Sequence, residues 1–529
     1  MPHAPLILPI QLALAMCLMM SPLRSQSDQT QDDLPPVGRS RFDHLIGRAP
    51  VPYPFARLVN TINRQMQTDA GGLPPLKNTL IPLGRSLQRN AGAPDFFRFP
   101  RVVAAADGNN VAGVEPLKDR LFLGFHEKGQ VIEVISYNDT AGRFEFQVVR
   151  DYATGKTPQV YYARRSLCLA CHQNAAPMFA RPLWDETPAN PEIARRLREA
   201  RRDFYGIKPS GTDVAYFIDT AADRANLFSV WQALWQQGCG AGVSGDRCRM
   251  EAFVAALDYA RNRTLPAPAI LTTLDRNWTR RWPHGLPIPN PDLPNRDPLA
   301  ALADPASDPL LLRPPLETWK TPDKTAFIVG LAGMLDANVA QQLKPADLSI
   351  PLERLRTRGA FAARPFSHDL LDALLAELGK PRRSRPASLP PARTEPTAAA
   401  SQAGPLVAPF HTNCASCHDT TLPHPPNFLH GSPAEIEDKL DHCAPRMFVR
   451  LSMAGIPEAA RSKPPMPPAA ALASRGIDPM HWAASPELAV LKRLVTSRLR
   501  GHEPASLLRQ PYAQLPSCLP PSSYAEHAP

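Results

Sequence analysis

The amino-acid sequence predicts an α+β protein, in which a strand-rich and then helical N-terminal region is followed by an all-α C-terminal domain. Three observations carry this prediction. Residues 121–165 are rich in β-branched and aromatic side chains and are interrupted by turn residues, which is typical of strands. Apolar residues then recur at helical spacing in several segments beyond residue 190. Residues 381–404 have the proline- and alanine-rich composition of a linker.

Length and composition indicate more than one domain. A chain of 529 residues is too long for a single hydrophobic core. Hydrophobic residues make up 43% of the chain, which is enough to build two cores, and 62 prolines predict many irregular connections. We therefore divide the chain into a leader at 1–27, an α+β region at 28–380, a linker at 381–404 and a C-terminal domain at 405–529.

The N-terminus has the pattern of an export signal. Residues 6–20 form an apolar run that is short for a membrane span, and residues 25–27 offer a cleavage site with small side chains. We therefore expect a signal peptide over 1–27 and a periplasmic or otherwise exported product. Cys17 leaves a lipid anchor as an alternative. No later segment is apolar enough to predict a transmembrane span in the mature chain.

The predicted strands are four consecutive runs separated by short turns: LFLGFHEKG, VIEVISY, FEFQVVRDY and QVYYARR. Because short turns join antiparallel neighbours, the sequence predicts an antiparallel meander over 121–165. Residues 71–103 are rich in proline, glycine and arginine and are expected to be irregular. Helices are predicted at 55–66, 191–202, 213–237, 250–261, 324–337, 370–378 and 486–499.

Two CxxCH motifs carry the chemistry of the chain. Each consists of two cysteines and the histidine that follows them: Cys168, Cys171 and His172, and Cys414, Cys417 and His418. Two thiols three positions apart can each form a thioether with a vinyl group of one haem, and the adjacent histidine then binds the iron. The sequence therefore predicts two covalently bound c-type haems, one in the N-terminal region and one in the C-terminal domain.

Two other interpretations of these motifs stay open. The four thiols could bind one structural zinc ion, or each CxxC could be a redox-active thiol pair. The histidine after each pair and the predicted export signal favour haem. No thioredoxin-like βαβ pattern surrounds either motif.

The C-terminal part resembles a class I cytochrome c domain over residues 405–505. The resemblance rests on NCASCH at 413–418, on the proline-rich loop after it, on KPPMPP at 463–468 and on the predicted helix at 486–499. It implies a small helical fold around one haem. This part is therefore expected to be a cytochrome c-like domain.

The same resemblance implies a sixth iron ligand. In that family a methionine in such a proline-flanked loop binds the iron opposite the histidine, and Met466 is the matching position here. Met447 and Met453 lie in the same part of the chain and are the alternatives to Met466 as the ligand opposite His418.

The segment around the first motif, RRSLCLACHQNAAPMFARPLWDET, resembles uncharacterised exported haem proteins in which strands run into a CxxCH motif. The resemblance implies a haem but no particular activity. The sixth ligand here stays open between an open position and four side chains: Met178, His126, Met250 and Met334. Three arginines are candidates for pairing with haem carboxylates, with solvent exposure as the alternative: Arg164, Arg165 and Arg181.

Four cysteines remain outside the leader and the motifs: Cys239, Cys248, Cys443 and Cys518. An even number of cysteines in an exported chain permits two disulfides. The short, glycine-rich loop between Cys239 and Cys248 favours that pair, and a Cys443–Cys518 bond would tie the C-terminal tail to its domain. Reduced, buried thiols are the alternative for both pairs.

The net charge of the chain indicates which kinds of partner it could bind. The formal net charge of +10 is compatible with an acidic redox partner, exported or bound to a membrane, and a solvated basic surface is the alternative. The basic residues are dispersed and form no nucleic-acid-binding motif, so nucleic acid is not expected.

Two haems on one chain predict an exported di-haem cytochrome that carries out one-electron transfer. The alternative is a di-haem oxidoreductase, peroxidase- or oxygenase-like, with catalysis at the N-terminal haem. A third class, ligand sensing by the strand-rich part, has no specific motif in its favour. The spin state of the N-terminal haem discriminates between carrier and enzyme.

Overall fold

The computed structural model describes residues 34–68, 71–84, 89–92, 94–109, 111, 116–169, 172, 174–178, 185–200, 203–209, 212–288, 298–299, 317–320, 322–335, 337–380, 389–395, 404–419, 425–457, 460–473, 475 and 477–518. The predicted leader with Cys17 lies outside these residues, as do Cys171 and Arg181.

A six-stranded antiparallel sheet is the centre of the N-terminal region. Its strands are neighbours in space in the same order as in the sequence. The strands are β1 (Leu76–Ile81), β2 (Arg101–Ala106), β3 (Leu121–His126), β4 (Val131–Asn138), β5 (Arg143–Arg150) and β6 (Gln159–Tyr162). The predicted α+β class and the antiparallel meander over 121–165 are confirmed.

Both faces of the sheet are buried, because successive side chains of a strand point to opposite faces. In β2, Val102 belongs to the hydrophobic cluster on one face and Val103 to the cluster on the other. In β3, Phe122 and Phe125 divide in the same way. The inner strands are thus held by packing on both faces, whereas the edge strand β6, from which the first motif follows, is partly buried.

The prediction that residues 71–103 are irregular is wrong, since β1 and β2 lie largely in this stretch. The β2 sequence RVVAAA includes three alanines, which favour helix when considered alone. Here Ala104 and Ala105 are fully buried on opposite faces of the sheet. Burial on both faces outweighs the local preference, and small side chains let helices approach the sheet closely.

Helices cover both faces of the sheet and extend beyond it. They are α1 (Arg41–Ile46), α2 (Phe55–Asn63), α3 (Arg165–Leu169), α4 (Pro191–Glu199), α5 (Thr212–Gly238), α6 (Gly242–Asn262), α7 (Pro268–Arg281), α8 (Lys324–Met334), α9 (Ala337–Gln341), α10 (Ser349–Thr357) and α11 (His368–Glu377). A short hairpin of β7 (Leu286–Ile288) and β8 (Glu317–Trp319) lies between α7 and α8. The long helix α5 packs on β1, β2 and β5 and against α7 and α8, and α6 in turn packs against α7 and α8.

The predicted helices of this region are confirmed in place, with shorter ends for several of them. The prediction at 324–337 ends at Met334, where the chain breaks before α9. Helices α1, α3, α7, α9 and α10 were not predicted. Helix α7 begins at Pro268, a first-turn position at which proline is well tolerated and which marks a helix start.

Part of the predicted linker lies along the free edge of the sheet. The Tyr162 N–H donates to the Arg393 carbonyl O at 2.6 Å, and the Glu395 N–H donates to the Tyr162 carbonyl O at 3.2 Å. The Glu395 carboxylate also forms an ion pair with Arg150 of β5. Residues 389–395 therefore run beside β6 before the chain enters the C-terminal part.

The described residues from 404 to 518 form helices and 3₁₀ turns. The helices are α12 (Ala408–His418), α13 (Pro433–Ser452), α14 (Ala469–Ala473), α15 (Pro479–Ala483), α16 (Pro486–Thr496) and α17 (Pro504–Arg509). They enclose a hydrophobic cluster of their own, in which Phe410, Leu440 and Leu491 are fully buried. The predicted helix at 486–499 is present and ends at Thr496.

Both expected disulfides are present. Cys239 is bonded to Cys248, nine residues later, and joins the end of α5 to the first half of α6. Cys443 of α13 is bonded to Cys518, 75 residues later, and ties the end of the described chain to this helix. The alternative of reduced, buried thiols is excluded for these four residues in this structure.

Candidate haem-attachment sites

The second CxxCH motif lies on a helix. Helix α12 spans Ala408–His418, has a proline in its first turn and ends at the motif histidine. Cys414 and Cys417 are one helical turn apart and therefore lie on the same side of the helix, with His418 next to them. A helix is the geometry that presents two thiols to one edge of a haem and places the following imidazole beneath it.

The two thiols of this motif are reduced. Cys414 and Cys417 are half-buried and take part in no disulfide. Burial raises the pKa of the Cys414 thiol to about 12. Burial also raises the pKa of Cys417, while the Ser416 hydroxyl and the positive charge of Arg164 act in the opposite direction. Both side chains are thus neutral thiols at neutral pH.

His418 is oriented as a metal ligand. Its Nδ1 lies 2.7 Å from the carbonyl O of Pro426, and since a carbonyl only accepts, Nδ1 carries the proton. The ring stacks on Phe428 at a centroid distance of 4.2 Å. Burial lowers the pKa of His418 to about 4, with a further lowering by Arg450, so that the imidazole is neutral. A neutral imidazole with a fixed Nδ1–H presents Nε2 to a metal.

Met466 lies in a loop that is fixed to the helix beside His418. Its N–H donates to the carbonyl O of Arg450 at 3.1 Å. The Arg450 Nε donates to the Pro464 carbonyl O at 2.7 Å, so that one arginine holds the loop at two points. The charge of this arginine also acts on the His418 ring. The methionine loop and the motif histidine therefore share a neighbour.

The alternative methionines are packing residues. Met447 and Met453 belong to the hydrophobic cluster of this part of the chain, and Met453 is 2% exposed. The Met453 sulfur also accepts a hydrogen bond from the Ser462 hydroxyl at 3.7 Å. Met466 is half-buried and is not part of that cluster. The environments of the three methionines favour Met466 as the iron ligand. This assignment stays a prediction.

The first motif begins directly after the sheet, as the sequence predicts. Helix α3 starts three residues after β6 ends and carries a half-buried Cys168, while Cys171 lies outside the described residues. The His172 Nδ1 lies 2.9 Å from the carbonyl O of Ala176, the same arrangement as at His418. The ring packs against Phe146 of β5 at a centroid distance of 5.5 Å. A backbone carbonyl therefore orients each motif histidine.

The loop after the first motif is fixed to helix α5 by two asparagines. The Asn174 side-chain amide donates to the Asn226 Oδ1 at 3.0 Å. The Asn226 amide in turn donates to the Pro177 carbonyl O at 2.5 Å. The position of His172 is thus determined by β5 on one side and by α5 on the other.

His126 is not placed as the partner of His172. His126 lies on the same face of the sheet as Phe122. Phe122 is opposite Ile135 on β4, and Ile135 is opposite Phe146 on β5. Strand spacing and rise separate the backbone positions of His126 and Phe146 by about 17 Å. Its Nδ1 instead accepts from the Gly129 N–H at 3.0 Å in the β3–β4 turn.

The other candidates for the sixth iron ligand at the first motif lie in different parts of the structure. Met334 is buried in the cluster between sheet and helices, and Met250 packs against the same cluster. Met178 is half-buried in the loop that follows His172. The sixth ligand of the first site therefore stays open between Met178 and an open position.

Two adjacent arginines at the start of helix α3 contact two different parts of the structure. The Arg165 Nη1 donates to the Phe144 carbonyl O at 3.0 Å and pairs at 3.3 Å with Glu145, a fully buried carboxylate of β5. The Arg164 Nη1 donates to the carbonyl O of Ala415, inside the second motif, at 2.6 Å. The alternative of solvent exposure is excluded for Arg164 and Arg165, whose side chains are engaged by the protein.

The two motifs are consequently neighbours. Besides Ala415, Arg164 contacts Asp419, the residue after the second motif, at 3.9 Å. The Asp419 carboxylate is buried and lies 3.1 Å from His430 Nδ1. Helix α3 packs against α12 and against α14, the helix that follows the Met466 loop. Sequence reasoning placed both motifs but did not place them together, because no local pattern encodes a contact over 251 residues.

The side chains at the second motif fit a covalently bound haem. Two reduced thiols one turn apart, a neutral imidazole with its Nδ1 occupied and a half-buried methionine in a fixed loop are the required donors. Within the described ranges, no three His, Cys, Asp or Glu residues group as a metal site by themselves. Among the same residues, no helix is both long and apolar enough to cross a membrane.

Comparisons with protein-family models, with curated proteins and with solved structures returned no match.

Proposed function

We propose that this chain is an exported di-haem c-type cytochrome that carries out one-electron transfer, with one haem attached at each CxxCH motif. In this proposal residues 405–529 form an all-α, cytochrome c-like domain, and residues 28–380 form the α+β region that holds the other haem. The haem irons supply the one-electron couples. The contribution of the protein is to hold the haems, to tune their surroundings and to exclude water.

The observation that carries the proposal is the contact between the motifs. The Arg164 side chain, four residues before Cys168, donates to the backbone of Ala415, between Cys414 and Cys417. Groups attached to these two cysteine pairs would lie side by side. Electron transfer falls steeply with distance, so two adjacent haems form a relay. A protein that used its haems independently would not need this contact.

Each motif supplies a histidine in the state that a haem iron requires. Pro426 and Ala176 accept the Nδ1–H of His418 and His172, which fixes the tautomer and the ring direction. Met466 is proposed as the sixth ligand at the second haem, where a thioether raises the reduction potential relative to a second imidazole.

The two disulfides support export. Disulfides persist in oxidising compartments and are rare where thiols are kept reduced. Four cysteines pair here as Cys239–Cys248 and Cys443–Cys518, while the motif thiols Cys414 and Cys417 stay reduced and available for thioether formation. We propose a periplasmic or equivalent location and an acidic redox partner, exported or membrane-bound, for this basic chain.

Absorption and EPR spectra of the full chain, produced with a cytochrome c maturation system, test this function. A carrier is expected to show two low-spin haems and no reaction with cyanide or carbon monoxide on mixing. A high-spin signal that disappears on cyanide binding would contradict the carrier and favour catalysis at the N-terminal haem.

Replacement of Met466 by Ala tests the sixth ligand of the second haem. We expect loss of the weak sulfur-to-iron absorption band and a lower reduction potential, because the thioether no longer binds the iron. Met447→Ala is the matched control, since that methionine packs in the neighbouring hydrophobic cluster. Persistence of the band in Met466→Ala, together with its loss in Met447→Ala, would assign the ligand to Met447 instead.

A further inference from the structure

We infer that Arg164 is a positioning residue that fixes the two haem-attachment motifs against each other and keeps a positive charge between them. The inference rests on the proposed function and deepens it, because it names the side chain through which the two haem sites are coupled. Arg164 contacts the second motif through a charged side chain, at Ala415 and at Asp419.

The geometry of Arg164 is that of a bridge. Its Nη1 lies 2.6 Å from the Ala415 carbonyl O, and its Nη2 lies 3.9 Å from the Asp419 carboxylate. The Arg164 side chain is 12% exposed and that of Asp419 is 4% exposed, so this contact is shielded from solvent. A shielded charged hydrogen bond contributes more than an exposed one. The guanidinium donates this bond to Ala415 while it lies within ion-pair range of Asp419.

The position of Arg164 is itself fixed. The next residue, Arg165, holds the start of α3 to the sheet through Phe144 and the buried Glu145. Consecutive arginines therefore contact different elements, Arg165 contacting β5 and Arg164 contacting α12. The start of α3 joins the second motif to the sheet, so haems attached at the two motifs would have a defined relative orientation.

A second arginine near the second motif has no bridging role. The Arg475 guanidinium lies 3.2 Å from the Asn413 side-chain O, and its charge acts on Cys414. Arg475, Asn413 and Cys414 all belong to the C-terminal part. The chain thus offers a matched control, because loss of Arg475 removes a positive charge near the second motif without breaking the contact between motifs.

Three single variants of the full chain separate bridging from charge: Arg164→Gln, Arg164→Lys and Arg475→Gln. Haem content is determined first by mass. The bisignate circular-dichroism signal in the Soret region reports a fixed orientation between two neighbouring haems, and a redox titration reports the potential of each haem. Amide hydrogen exchange in residues 165–169 reports the contact between α3 and α12 independently of haem.

We expect Arg164→Gln to lose most of the bisignate signal and to lower the potential of the second haem. Arg164→Lys should keep the potential near that of the unmodified chain and lose the bisignate signal, because an ammonium retains the charge but not the two-point geometry. Arg475→Gln should lower the potential and keep the signal. Exchange in residues 165–169 should become faster in both Arg164 variants and stay unchanged in Arg475→Gln.

An unchanged bisignate signal, potential and exchange rate in Arg164→Gln would overturn the inference while leaving the di-haem function intact. Absence of covalent haem in the unmodified chain would refute the proposed function. In that case the exchange measurement alone decides whether Arg164 joins the motifs. Equal exchange rates in Arg164→Gln and in the unmodified chain would show that Arg164 does not join them.

Discussion

His126 is a histidine whose buried position changes its acid–base behaviour. It is 2% exposed, and burial, with the nearby charge of Arg101, lowers its pKa from 6.5 to about 4. Its Nδ1 accepts a hydrogen bond from Gly129, which a protonated ring could not do. Its role is therefore structural, and the sheet around it depends on the neutral form.

Because the pKa of His126 differs between the folded and the unfolded chain, the free energy of unfolding depends on pH. The unfolded chain binds a proton at His126 more readily than the folded chain, so stability falls as the pH decreases from 6.5 to about 4 and then levels. This lowering of the His126 pKa corresponds to a loss of about 3 kcal/mol in the free energy of unfolding at low pH. His126→Asn keeps an acceptor for Gly129 without a titrating group, and it should lose less stability over this range.

Chemical unfolding of both proteins at several pH values measures this difference. If His126→Asn loses as much stability on acidification as the unmodified chain, His126 is not the group responsible. The comparison uses the difference between two proteins, because a chain with several folded parts does not have a single well-defined free energy of unfolding.

At the residue scale, the sequence predicted candidate haem-attachment residues but not their surroundings. Cys414, Cys417 and His418 are identified by spacing alone, since thioether chemistry requires that spacing. The carbonyl of Pro426 and the ring of Phe428 come from the loop after the motif, and their contacts depend on how that loop closes. A local pattern does not contain this information.

At the scale of elements, the disulfides differ in what they constrain. Cys443–Cys518 closes a span of 75 residues, and Cys239–Cys248 closes one of nine. In the loop-entropy account, the longer loop contributes about 4 kcal/mol and the shorter about 2.5 kcal/mol to stability. The longer bond also holds the end of the described chain on α13.

Removal of each bond by a pair of serine substitutions tests this difference. Loss of Cys443–Cys518 should lower the midpoint of thermal unfolding of the C-terminal part more than loss of Cys239–Cys248 lowers that of the N-terminal region. A haem attached at the second motif would report on the C-terminal part through its absorption. A larger effect from the shorter bond would show that local strain or packing, rather than loop length, determines the contribution.

Two elements form against the local preference of their residues. Strand β2 contains an alanine run and becomes a strand because it is buried on both faces. Helix α8 contains Gly330, where a Cβ would lie 2.2 Å from the Trp231 indole, so a residue that weakens helices is required by close packing on α5. In both cases tertiary contacts outweigh local propensity.

At the scale of the whole molecule, the path of the chain brings distant segments together. The sheet ends at β6, and two segments far apart in sequence meet there: the first motif and residues 389–395, which hydrogen-bond to Tyr162. The composition of 381–404 predicted a linker, and that composition says nothing about where the linker lies. Because residues 389–395 lie beside β6, the chain continues to the second motif from a point close to the first motif.

The measurement that most directly tests this account is the intact mass and Soret absorption of the mature chain and of two variants, each made with haem-attachment machinery. One variant carries Cys168→Ser with Cys171→Ser, and the other carries Cys414→Ser with Cys417→Ser. The account predicts a mass gain of two haems in the unmodified chain and of one haem in each variant. A mature chain with no added haem mass and no Soret band, or one that contains zinc instead, would contradict it.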